Sequence, residues 1–307
     1  MSLSALFDIL LNNIAPVFLA AATGYLVGKR LKPDVRSISR ITFYIFSPAL
    51  VFRAIVNSQL SGGEFGQMAL FTLLVVLISG GLALLVGRAL RYPRPVMVAL
   101  LLSVMFVNGG NFGLPINLYA FGEAGLARAV LYFAFSTVLV YSLGVFIAGN
   151  GRMEWRAALR NVAQVPALYA LPLAGLVQMM GWQLPAPLQR PVDLLAGAAI
   201  PCMLVILGMQ LAQAKFRSNL GAVSVAAGLR LLAGPAVGLL LAALLGLEGP
   251  LRQAAVLEAA MPTAVINTIL AVEYDASPEI VTGAVVITTL LSPLTLTPLI
   301  AYLRLAG

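Results

Sequence analysis

The sequence predicts an all-α polytopic membrane protein: ten transmembrane helices forming two inverted five-helix repeats, with broken fourth and ninth helices that cross. Three observations predict it. Of 307 residues, 61% are hydrophobic and only 10% charged, with a mean hydropathy of +0.98, whereas a soluble domain carries about 25% charged residues. The apolar residues gather into runs near the roughly 20 residues that a membrane helix needs. Matched motifs also recur at an offset of about 150 residues.

The ten runs are 5–28, 36–57, 66–90, 94–119, 125–148, 159–180, 190–213, 219–246, 250–272 and 278–303. The loops between them are too short for an extramembrane catalytic domain. Loops after odd-numbered spans hold Lys29, Arg30, Lys32, Arg36 and Arg40, then Arg88, Arg91 and Arg94, then Arg152, Arg156 and Arg160, then Lys215 and Arg217. These are 13 of the 19 basic residues. The positive-inside rule therefore places the odd loops in the cytoplasm and both termini outside. The ninth loop, with Glu273, Asp275 and Glu279 and no cation, is the exception; acidic residues weigh little in the rule.

The net charge of +8 is spread over these topology signals. It forms no basic stripe with interleaved aromatics, which argues against nucleic-acid binding. A single cysteine, Cys202, excludes an intramolecular disulfide and a cysteine metal cluster. The absence of histidine removes the commonest metal ligand and the usual near-neutral proton shuttle. No metal site or resident cofactor is expected, and nothing at the N-terminus resembles a cleaved signal.

Pro48 in SPALVF lines up with Pro201 in IPCMLV, 153 residues later. Gly122-Glu123-Ala124 lines up with Tyr274-Asp275-Ala276, and Ser136-Thr137 with Thr288-Thr289, each 152 residues later. Two halves of five helices each make the second copy insert upside down.

The same offset sets Asn108–Pro115 against Ala260–Asn267, near the centres of spans four and nine. Each segment carries a proline, Pro115 and Pro262, which removes a backbone donor and clashes with the preceding turn. Gly109, Gly110 and Gly113 loosen the chain further. Freed backbone groups at membrane depth survive only where protein or a water-filled cavity satisfies them. Paired breaks in inverted halves point to a midplane binding site. The bland reading, close helix packing on Gly109 and Gly113, explains one segment but not two in register. Each break also makes a half-helix N-terminus with free N–H groups and partial positive charge, suited to a carboxylate. Candidate substrate contacts are Asn108, Gly110, Asn111, Gly113 and Pro115 on one side, and Met261, Pro262, Thr263 and Asn267 on the other.

Two charges fall within the spans. Glu258 lies one turn before Pro262 and Arg230 lies in span eight. Charges at depth mark pathways or pair with each other. Glu258 is a candidate to bind a coupling Na⁺ with Asn108 or Asn111, or to carry a proton as H⁺. Arg230 is a candidate to attract an anionic substrate or neutralise Glu258. The plainer alternatives are a structural Glu258–Arg230 pair and an Arg230 that snorkels to the surface.

N108-G-G-N-F-G-L-P-I, M261-P-T-A-V-I-N, A271-V-E-Y with its acidic loop, T288-T-L-L-S-P-L-T-L-T-P and R230-L-L-A-G-P together resemble the auxin efflux carrier family. That family includes the plant PIN proteins and bacterial permease-like members, and the likeness covers nearly the whole chain. The resemblance implies a fold like NhaA-type antiporters and bile-acid symporters. It implies a scaffold of spans 1, 2, 6 and 7 (about 1–60 and 159–214) through which homodimers form. It further implies a mobile transport part (about 64–148 and 219–303), with Asn108, Asn111, Pro115 and Pro262 at the crossover near the substrate. The long cytoplasmic loop of many plant members is replaced here by a short basic segment near 149–159, so regulation through that loop does not carry over. Ala260 stands where the first repeat has Asn108, so the two half-sites are not equivalent.

The expected function is secondary transport of a small organic anion, auxin-like or a dicarboxylate, across the plasma membrane by elevator-type alternating access. The alternatives are a Na⁺- or H⁺-coupled symporter using Glu258, and an anion channel. No Walker-type GxxxxGK[ST] supplies ATP chemistry. An intramembrane enzyme lacks its parts, since one deep carboxylate and no histidine assemble no catalytic set.

Overall fold

The computed structural model describes residues 3–58, 60–149, 155–214 and 219–305. Arg152, Lys215 and Arg217 of the basic loops lie outside them, as do residues 150–154. The described backbone is helical, with a lone antiparallel bridge between Val107 and Thr263. In chain order the helices are α1 (Leu3–Arg30), α2 (Val35–Val56), α3 (Gly62–Ala89) and α4 (Arg94–Met105). A continuous hydrogen-bonded stretch, Gly109–Ala148, follows and turns at Gly122, giving α5 (109–121) and α6 (123–148). Then come α7 (Trp155–Ala163), α8 (Ala167–Met179), α9 (Ala186–Gln213), α10 (Leu220–Leu244), α11 (Gly249–Ala259), α12 (Ile266–Glu273) and α13 (Pro278–Leu305).

Seven of these stretches are long and apolar enough to cross a membrane. The protein is therefore a polytopic membrane protein. The runs at 94–119, 159–180 and 250–272 are each divided into two shorter helices. Large side chains such as Leu19, Leu85, Leu194, Leu244 and Leu294 point outward, as lipid-facing residues do.

The turns follow from local chemistry. Asp34 caps α2 by accepting from the Arg36 N–H at 3.1 Å and the Ser37 hydroxyl at 2.5 Å. The Ser37 bond is the chief reason its carboxyl sits below the ordinary aspartate range. A capping box between Ser61 and Glu64 starts α3, and Glu64 also pairs with Arg128 of α6 at 2.8 Å. Both α4 and α11 open with a proline in their first turn, Pro95 and Pro250, where the missing N–H costs no helical bond. Gly122 has φ 67° and ψ −161°, a conformation for which only glycine is suited.

Packing is dense within two groups of helices, which also touch each other, α1 on α13 and α9 on α5. In one, α1 lies on α9, and α2 lies on α8 and α9. The α1–α9 contact is backbone to backbone. A Cβ on Gly208 would lie 1.8 Å from the Ala21 carbonyl oxygen, and one on Gly24 would lie 2.1 Å from that of Val205. In the other group α3 packs on α4, α6, α10 and α11, while α13 packs on α4, α10 and α12.

Gly208→Val should therefore lower stability by about 3 kcal/mol or more, because the obstacle is backbone rather than a movable side chain. Gly197→Ala on the same helix meets open space and should gain up to about 1 kcal/mol from helix propensity. Thermal unfolding of the detergent-purified variants checks both; equal melting temperatures would refute the close-contact account.

Candidate functional site

The chain leaves helix twice and pairs there with itself. Phe106 to Asn108 lie outside helix after α4, and Met261 to Ala264 after α11. The Asn108 N–H donates to the Pro262 carbonyl at 2.8 Å, and the Ala264 N–H donates to the Phe106 carbonyl at 3.0 Å. The first break thus falls just upstream of the glycines. Residues 109–113 form a π turn, closed by Gly113 N–H to the Asn108 carbonyl at 3.0 Å, and Pro115 sits in the opening turns of α5. The Leu114 N–H already bonds back to the Gly109 carbonyl, so Pro115 withholds a donor just after the ladder has begun, where the π turn passes into regular α-helix.

Three of the carbonyls that end α4 are met by side-chain donors. Leu102 accepts from Asn267 Nδ2 at 2.8 Å, Ser103 from the Thr263 hydroxyl at 2.8 Å, and Val104 from Arg230 Nη1 at 2.6 Å. Asn267 Nδ2 also reaches the Phe106 carbonyl at 3.0 Å. The other terminal nitrogen of Arg230, Nη2, donates to Ala259 at the end of α11. Arg230 is completely buried, so it does not snorkel, and it forms no ion pair with Glu258. Its positive charge instead faces two helix C-termini, where the backbone dipoles are negative. Gly234 makes room for it: a Cβ there would lie 2.0 Å from Nη2.

Glu258, also fully buried, faces the first turn of α5. Its Oε1 accepts from Asn117 Nδ2 at 2.9 Å, and the same amide nitrogen donates to the Gly113 carbonyl at 3.0 Å. A Cβ on Gly113 would lie 2.5 Å from both carboxylate oxygens, and one on Gly109 would lie 2.7 Å from Oε2. These two glycines are required by the carboxylate, not by helix packing alone.

The sequence-predicted residues thus divide. Asn108, Gly110 and Asn111 stand at the opening turn of α5; Asn108 is 5% exposed and its Nδ2 has no partner. Gly110 and Asn111 are half-buried, and Gly110 lies against the ring of Phe133. Gly113 and Pro115 are buried behind them. Met261 and Pro262 are buried in the non-helical segment of the second break, where the Pro262 carbonyl accepts from Asn108. Thr263 and Asn267 donate to α4, and the Thr263 N–H is itself held by the Thr288 hydroxyl at 3.1 Å. Sequence reasoning missed Asn117 and Tyr132. Asn117 closes the motif VNGGNFGLPIN and lies one turn from Gly113, a usable signal. Tyr132, whose buried hydroxyl has no partner, gave none.

A family profile described as "Membrane transport protein" matches residues 9–163 and 151–300. The chain belongs to that family. It is the family of the auxin efflux carriers and of bacterial and archaeal transporters, which makes the protein a membrane transporter rather than an enzyme. An uncharacterized transporter of Methanothermobacter thermautotrophicus is 26% identical over 286 residues, 92% of this chain and 94% of the relative. A Rhizobium meliloti protein, described provisionally as a malonate transporter, is 26% identical over 306 residues, 95% of each chain. Auxin efflux carrier component 1 of Arabidopsis thaliana is 28% identical over 147 residues, 47% of this chain and 24% of the plant protein.

Arg230→Met should cost about 3–5 kcal/mol of stability, since two helix-end carbonyls lose a charged donor. Arg230→Lys should recover only part of it, because an ammonium lacks the planar fork that spans both oxygens. Thermal melts decide: unchanged melting with lowered uptake would make Arg230 a substrate ligand instead of a clasp.

Proposed function

We propose that the protein is a secondary transporter of a small organic anion, working by alternating access with the substrate where the two breaks meet. The observation that carries this reading is the pairing of two interrupted helices beside a half-helix N-terminus. The N–H groups of residues 109–112 precede the first bond of the α5 ladder, and the buried Asn108 Nδ2 beside them has no partner. Such a turn attracts a carboxylate through N–H groups and the helix dipole without a fixed cation. The substrate is a carboxylate, with dicarboxylates such as malonate and auxin-like aromatic acids as the classes to try first.

In this reading α4–α5 and α11–α12 are the crossing, broken members of two inverted repeats. Their common features support it: a proline in the opening turn of α4 and of α11, and a left-handed residue after each second half, Gly122 and Asp275. The group containing α1, α2, α8 and α9 is the scaffold and the dimer surface. The group around α3, α4, α10, α11 and α13 moves against it as an elevator, in a plasma membrane with both termini outside. Coupling to Na⁺ or H⁺ through Glu258 is a second reading, favoured by its burial without an ion partner.

One contact between the two groups gives a direct test. Asn13 in α1 donates from Nδ2 to the Tyr119 carbonyl at the end of α5, at 2.5 Å. A cysteine pair, Asn13→Cys with Tyr119→Cys in a Cys202→Ala background, should abolish uptake of labelled malonate into proteoliposomes when oxidised and restore it on reduction. A channel would keep conducting when locked. In the same assay Asn108→Ala should cut uptake about tenfold or more, the loss of one charge-assisted hydrogen bond to the anion. Full uptake by that variant would move the site elsewhere.

A further inference from the structure

The carboxylate of Glu258 lies where an anionic substrate would need to be. It is 0% exposed and seated on the first turn of α5, with Gly109 and Gly113 directly beneath it. Asn117 Nδ2 satisfies Oε1, whereas Oε2 has no partner and neither does the Asn117 Oδ1. Two buried acceptors with no donor between them mark a place that lacks a positive charge.

Among the described residues, no neighbouring element supplies that charge. From α10 comes Arg230, whose terminal nitrogens are held by the carbonyls of Val104 and Ala259. From α6 comes the Tyr132 hydroxyl, within electrostatic reach of both Arg230 and Glu258. Arg128 of α6 pairs with Glu64 of α3. Glu123 of α6, Arg88 of α3, and Glu279 and Arg304 of α13 stand near the ends of their helices, and Arg252 of α11 lies against Tyr302.

We propose that Glu258 is a tethered rival of the substrate, so that the anion enters only when Glu258 carries a proton, and the two cross together. This rests on the reading above, that the substrate's negative group is held by the opening turn of α5. An ionised Glu258 fills that turn with its own negative charge, and a second anion beside it in a site of low dielectric is repelled. A proton from the facing aqueous side forms an O–H bond at Oε2, the oxygen left without a partner. The side chain is then neutral, and the helix N-terminus is free for the substrate's carboxylate. On the opposite side the anion leaves, the O–H bond breaks and the proton passes to water. One proton accompanies each anion, and both gradients drive the cycle.

The full-length protein in proteoliposomes, with labelled malonate outside and a pH-sensitive dye inside, tests this. Wild-type uptake should rise as the external pH falls, by up to about tenfold per pH unit, the limit for one bound proton. The lumen should acidify in step with uptake. In Glu258→Gln the acid-to-neutral uptake ratio should drop to near one and the acidification should vanish, while Glu258→Asp keeps both. Malonate ionises identically in all three samples, so differences between them report the side chain. Uptake by the wild type without proton movement, or uptake that follows Na⁺ and ignores pH, overturns the proposal. Infrared difference spectra need no substrate. A protonated-carboxyl band that bleaches on raising pH, present in wild type and absent in Glu258→Gln, supports it, and no such band at any pH overturns it. A wild type that shows the band but takes up no malonate defeats the substrate reading alone.

Discussion

Interrupting a helix at membrane depth leaves carbonyls that hydrocarbon cannot satisfy, and in this protein one from the end of α4 and one from the end of α11 converge on Arg230. One guanidinium, fully buried, donates to Val104 at one helix end and Ala259 at the other. Without it the two breaks would carry negative dipole ends toward each other in a dry interior. With it they become neighbours, and the short antiparallel pairing of Val107 with Thr263 can form between them. Everything placed by that pairing follows: the opening turn of α5, the seat of Glu258 and the orientation of Asn117.

The two halves use their polar residues differently. Thr263 and Asn267 direct their donors backward to the end of α4. On the other side, Asn108 and Asn117 stay near the start of α5, each with an atom left over. The second half closes its partner's loose carbonyls, while polar atoms without a partner remain on both sides, Asn267 Oδ1 among them. The difference at position 260, alanine where the first half has Asn108, is the sequence trace of that division of labour.

Much of this was legible in the sequence because the signals are covalent. Apolar run length fixes where helices lie, and Pro95, Pro250, Ser61 and Asp34 fix where several begin. The positions of both breaks were visible to within a few residues, since glycine and proline act locally. What stayed hidden depends on side-chain reach across the fold. Arg230 reads equally as a substrate ligand, an ion-pair partner or a clasp until its distance to two carbonyls is known. Thr263 and Asn267 look like site residues by composition, yet their donors serve the backbone. The split of the run at 159–180 was missed as well, because Pro166 removes its donor where the pattern is otherwise apolar.

The glycine contact between α1 and α9 carries a consequence for how the chain is made. Ala21 and Gly208 touch with no side chain between them, though nearly the whole first two thirds of the polypeptide separates them. Helix α1 emerges from the ribosome well before α9, so its main partner does not yet exist when it is made. During synthesis that small-residue face must be kept company by lipid or by the insertion machinery. A helix made early thus waits for one made much later before its small-residue face is packed.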